Sequence, residues 1–81
     1  MTIKGLVIAG YHHQYKDWLR RNKYSPHEYR YIADEHQLQG LQGIKLFYVG
    51  EYWRNPILSS DILAAYEFHN DAGVEHVHDQ H

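Results

Sequence analysis

The sequence predicts a small α/β domain: a three-stranded parallel sheet flanked by helices in the order β-α-β-α-β-α, a Rossmann-like half unit. Three observations carry this reading. Leu6-Val7-Ile8-Ala9 is a continuous apolar run that ends at Gly10 and is followed by Tyr11-His12-His13. Leu46-Phe47-Tyr48-Val49 ends in the same way at Gly50, ahead of Glu51-Tyr52-Trp53-Arg54. Between them Tyr31-Ile32-Ala33 stops at Asp34-Glu35. Short apolar runs that end in Gly or Asp before helical stretches are the pattern of parallel strands. Such sheets bind ligands outside the carboxyl ends of their strands, so the repeated ends locate a candidate site.

The elements follow in order. Ile3 to Ala9 is the first strand, and its continuous apolar stretch demands burial on both faces and a central place in the sheet. Tyr11, Tyr15, Trp18 and Leu19 fall on one face of a helix, with charged residues on the others. Asn22 can close that helix in the left-handed conformation, and Ser25-Pro26 marks a turn. Glu28 to Ala33 alternates before turning apolar, as an edge strand does. Asp34 with Gln37 fits a capping box for a short helix carrying Leu38 and Leu41, which Gly40 and Gly43 stop. Lys45 to Val49 is the third strand. Asn55-Pro56 breaks the chain, and Ser59, Ser60 and Asp61 can each cap a last helix ending near Gly73. Strand order is 2-1-3 or 3-2-1, and the apolar first strand favours 2-1-3.

The domain spans residues 1–73, with 74–81 as a flexible, His-rich tail. His76, His78 and His81 beside Glu75 and Asp79 give that tail adventitious metal affinity without a scaffold for a functional site. Ordering eight mostly polar residues costs more than Val74 and Val77 return on burial, so the tail is expected to add nothing to the fold.

Composition narrows the function. Eighty-one residues form one domain, and no cysteine is present for disulfides or thiolate metal sites. The net charge of −2, from 8 basic and 10 acidic residues, argues against nucleic acid as a partner. No apolar stretch reaches the length of a membrane span, and a cytoplasmic location is expected. Eight tyrosines and two tryptophans suit an interface or a core built from large aromatic side chains. Three short strands leave open edges, which favour a homodimer.

At the crevice the candidate ligand-binding residues are Gly10, Tyr11, His12, Asp34, Gly50, Glu51, Trp53 and Arg54. Helix-start amides after Gly10 could meet a phosphate, Asp34 a ribose hydroxyl, Trp53 a base, and Arg54 a second phosphate. No G-x-G-x-x-G or Walker sequence accompanies Gly10. The same residues also serve as punctuation: strand ends, a cap and a rim aromatic. Glu51 with His12 or His13 is the one acid/base pair the topology could assemble, and no catalytic residue, metal ligand or cofactor is assigned. Tyr52 and Trp53 are the candidate interface residues.

Several motifs carry a resemblance. These are Val7-Ile8-Ala9-Gly10, Tyr15-Lys16-Asp17-Trp18-Leu19, Tyr31-Ile32-Ala33-Asp34, Leu38-Gln39-Gly40-Leu41-Gln42-Gly43, and Tyr48-Val49-Gly50-Glu51-Tyr52-Trp53-Arg54-Asn55-Pro56. Over roughly the first 56 residues the layout resembles small uncharacterised proteins of tailed bacteriophages. That resemblance implies a phage-encoded cytoplasmic accessory protein and transfers no functional residue. The chain is also faintly similar to nucleoside deoxyribosyltransferases, which open with an Ala-Gly-ending strand, though Tyr11 stands where that family usually has proline. The expected role is a non-enzymatic interaction protein acting on a host or phage protein. The alternative is a nucleotide or nucleoside binder, or a salvage enzyme, using the crevice.

Overall fold

The computed structural model describes residues 3–38, 41 and 43–77. Its elements are β1 (Gly5–Ala9), α1 (His12–Asn22), β2 (Tyr29–Tyr31), a 3-10 turn (Glu35–Leu38), β3 (Lys45–Val49), two further 3-10 turns (Tyr52–Arg54 and Pro56–Ser59), α2 (Asp61–Phe68) and β4 (Val74–Val77). The sheet is wholly parallel, in the order β2-β1-β3-β4. Of the two orders the sequence leaves open, 2-1-3 is the one found, with β1 between β2 and β3.

The sheet has four strands where the sequence predicts three. The extra one, β4, comes from the segment read as the start of the tail. Its register on β3 pairs Leu46 with Val74 and Tyr48 with His76. Asn70 sets it up: its amide donates to the carbonyls of Ile44 and Gly73, at 2.9 and 3.2 Å. The Leu46 N–H then donates to the Gly73 carbonyl, and Lys45 meets Glu75 across the strands at 2.8 Å. Side-chain burial was the wrong criterion for this segment. A strand mostly exposed on both faces is held by its backbone ladder, which satisfies β3 donors and acceptors that would otherwise lie open. His78 and His81 of the expected tail lie outside the described residues.

All five residues of β1 are buried, and alternate side chains feed two cores. Val7 and Ala9, with Phe47 and Val49 of β3, meet Tyr15, Trp18 and Leu19 of α1. Leu6 and Ile8, with Leu46 and Tyr48, meet Ile32, Leu38, Ile57 and Leu63. Burial on both faces is why these strands read as apolar runs without alternation. Trp18 is the hub of the first core, with ring centroids 5.1 Å from Phe47, 5.2 Å from Tyr24 and 5.6 Å from Tyr29.

Local differences have simple causes. Tyr11 precedes α1 in extended conformation and is exposed, so the buried stripe starts at Tyr15. Lys23, at φ 58°, makes the left-handed close of α1, while Asn22 donates its amide to the Trp18 carbonyl at 2.8 Å. The helix expected after Asp34 is the single 3-10 turn Glu35–Leu38. No helix among the described residues is long and apolar enough to cross a membrane.

Two outcomes are expected. Deleting residues 74–81 should lower stability by about 1–3 kcal/mol in urea denaturation, because β3 becomes an edge and loses cover over Tyr48 and Val49. Burial raises the ionisation of Tyr15, Tyr29 and Tyr31 above the ordinary 10.0. Their contribution is therefore complete below the unfolded-chain value and is lost as pH rises through the folded ones. Melting temperature should be insensitive to these groups near neutrality and fall above about pH 10, and Tyr15→Phe should flatten that fall.

Candidate functional site

Gly10 and Gly50 end β1 and β3 side by side, as the repeated motif predicts. The chain itself then fills the space between them. A Cβ on Gly10 would overlap the Glu51 carbonyl, so the close approach of the two loops requires glycine there. Gly50 turns the chain at φ 58°, and a Cβ on it would run into the Gln14 side chain. Gln14 is the bridge. Its Oε1 accepts from the Tyr11 and Glu51 N–H groups at 3.3 and 3.2 Å, and its Nε2 donates to the Glu51 carboxylate at 3.3 Å. On its other side the Glu51 carboxylate accepts from Arg54 Nε at 2.9 Å. That bond, with the nearby Tyr11 hydroxyl, holds the Arg54 guanidinium more firmly protonated than usual.

The second filler is Asn55, the buried polar side chain of the core, 2% exposed. Its Nδ2 donates to the carbonyls of Ala9 and Ile32, at 2.8 and 2.9 Å, so it ties the end of β1 to the residue following β2. Its Oδ1 accepts from the Ile57 N–H at 3.0 Å and caps the turn Pro56–Ser59. A buried amide needs all of these partners to offset its desolvation.

The remaining crevice candidates stand apart. Asp34 is exposed, and its carboxylate accepts from the His36 backbone N–H and contacts the His36 ring, both at 3.0 Å. Those bonds hold its carboxyl below the usual range. Gln37 reaches back to the Ala33 and Asp34 N–H groups, the reciprocal half of the expected box. His12 packs edge-on against Tyr31, and His13 stacks on Tyr11. Among the described residues the Glu51 carboxylate is hydrogen-bonded to Gln14 and Arg54, not to a histidine. Among the described residues, no group of three or more His, Cys, Asp or Glu could hold a metal ion.

A different concavity lies beside Tyr52. Tyr48, Tyr52, Leu58, Leu63, Glu67 and His76, with Ala64, line a groove of about 290 Å³ between α2 and β4. The Tyr48 ring is 5.1 Å from Tyr52 and 4.9 Å from His76, and His76 is 5.4 Å from Tyr52. Trp53 packs edge-on against Tyr52 at 5.4 Å and is 60% exposed. Sequence reasoning reached Tyr52 and Trp53 and missed Tyr48, Glu67 and His76. It also missed Gln14 and Asn55. Asn55 carried a usable signal, since an N-cap residue directly before proline is a favoured helix start.

Comparison with known proteins found no family model, curated protein or solved structure that matches the chain.

Asn55→Ala is expected to cost about 2–4 kcal/mol, because two strand-end carbonyls and the Ile57 N–H lose their partner inside the core. Chemical denaturation measures it. A loss below about 0.5 kcal/mol would show that water replaces the amide.

Proposed function

We propose that this chain is a small non-enzymatic interaction protein, phage-encoded as its resemblance suggests, that docks a protein partner on the side of the sheet covered by α2. The observation that carries the reading is a contrast between two regions. The crevice at the strand ends is occupied by Glu51, Gln14 and Asn55, which leaves little backbone free to wrap an anion. The α2 side instead presents Trp53, Leu58, Ile62, Phe68 and Val74 as exposed apolar residues, Phe68 at 84% exposure. Leu58 lines the aromatic groove, and Trp53 packs against Tyr52 of its wall. Exposed apolar area of this kind on a soluble domain marks a binding surface, and aromatic residues are enriched in such surfaces.

The reversal of strand order on either side of β1 supports reading the sheet as a Rossmann-like half unit with one strand added. Fold alone does not assign chemistry, so the surface carries the functional reading.

The test compares ligands and variants. Millimolar mononucleotides should leave the melting temperature and Trp53 fluorescence unchanged, whereas a crevice ligand would stabilise by mass action. The double variant Trp53→Ala/Phe68→Ser should melt within a few degrees of the parent, since both side chains are exposed. It should lose at least tenfold in affinity for a partner captured from infected cells, as expected when an aromatic anchor is removed. A nucleotide that raises the melting temperature, with the rise abolished by Trp53→Ala, would overturn the reading.

A further inference from the structure

The groove has a chemistry more specific than exposed apolar surface. Three aromatic rings, from Tyr48, Tyr52 and His76, form a contiguous wall. Leu58, Leu63 and Ala64 add apolar surface. Glu67 also lines the groove, and its carboxylate has no hydrogen-bond or ion-pair partner among the described residues. A carboxylate without a cation beside the π faces of tyrosines is a site of negative potential. Tyr48 is 3% exposed, and its hydroxyl is the buried side-chain atom left without a hydrogen-bond partner among the described residues.

The groove also adjoins an open sheet edge. β4 has a single neighbour, β3, so its outer N–H and C=O groups are unpaired among the described residues. His76 is in register with Tyr48, which packs on the α2 side, so Val74 and His76 point to that side as well. A strand added to β4 would place every second side chain on the same side, next to His76.

We propose that the groove takes a lysine or arginine side chain carried by an extended segment of the partner protein, which adds to β4 as a fifth strand. This rests on the interaction reading above and names what that surface recognises. Main-chain hydrogen bonds to the edge supply affinity, and the pocket beside it selects the side chain. A basic side chain fits both halves of the groove: its stem lies on Leu58, Leu63 and Ala64, and its charged head meets Glu67 and the ring faces.

Two capped pentapeptides test this on the full chain, labelled for NMR. One is acetyl-Thr-Val-Lys-Val-Thr-amide, and the other carries norleucine, the uncharged isostere, in place of lysine. At about 10 mM the lysine peptide should shift the β4 amides and the Tyr48 and Tyr52 ring signals. The norleucine peptide should bind about three- to fivefold more weakly. Glu67→Gln, at an exposed helix position and checked by its melting temperature, should remove most of that difference. Tyr52→Leu should weaken the lysine peptide more than the norleucine peptide.

Equal affinity of the two peptides would overturn the proposal, as would shifts confined to a surface away from β4 or no shift at all. So would light scattering that shows a dimer with its β4 amides already protected, which would give the edge to a second copy. Partner capture that depends on Trp53 and Phe68 but is unchanged by Glu67→Gln would sink the charge assignment and leave the interaction surface standing.

Discussion

Asn55 holds the strand ends of this domain together. Parallel strands deliver their last carbonyls to one rim, where nothing in the ladder satisfies them, and β2 is too short to carry its pairing past Tyr31. A single amide answers Ala9 and Ile32 at once and starts the turn that leads to α2. The segment Pro56–Ser59 then drops Ile57 into the core beneath it. Gln14 does the same for the neighbouring pair of loops. Two neutral amides thus do at the rim what a bound ligand does in larger sheets of this kind: they give the strand ends a common polar partner.

This arrangement explains where the exposed chemistry went. With the rim closed by internal bonds, the ionisable groups of the expected crevice pair with sequence neighbours, Glu51 with Arg54 and Asp34 with His36. Exposed pairs of this kind contribute little to stability. Most of the apolar residues left without cover, Trp53, Leu58, Ile62, Phe68 and Val74, lie after β3. α2 is only eight residues long and buries Leu63 as its main anchor. It is too short to cover the outer part of β4, and the groove lined by Tyr48, Tyr52 and His76 is the gap it leaves.

How much was legible in the sequence divides along physical lines. β1, α1 and β3 carry their burial in their composition, so Leu6-Val7-Ile8-Ala9 and the Tyr15-Trp18-Leu19 stripe were readable. β4 was not, because backbone pairing leaves no apolar signature and Val74-Glu75-His76-Val77 resembles any polar tail. The site divides in the same way. Glycines at strand ends announced themselves, but what they make room for did not. A Cβ excluded at Gly10 makes way for the chain's own Glu51 carbonyl, and a glycine looks the same whether a phosphate or a peptide group approaches it. Gln14 and Asn55 were hidden for a related reason: a polar residue in a helix's first turn or in a loop gives no hint that its partners lie 37 or 46 positions away.

The central position of β1 also shapes how the chain must fold. β1 is made first, yet one of its edges waits for Tyr29–Tyr31 and the other for Lys45–Val49. Every strand pairing in the sheet is non-local, and none can be assembled from a hairpin. A nascent chain therefore carries Leu6-Val7-Ile8-Ala9 as an apolar ribbon with at least one open edge until Lys45–Val49 has been made. During synthesis that open edge is exposed to wrong partners, and a chaperone that shields it would act before β3 is made.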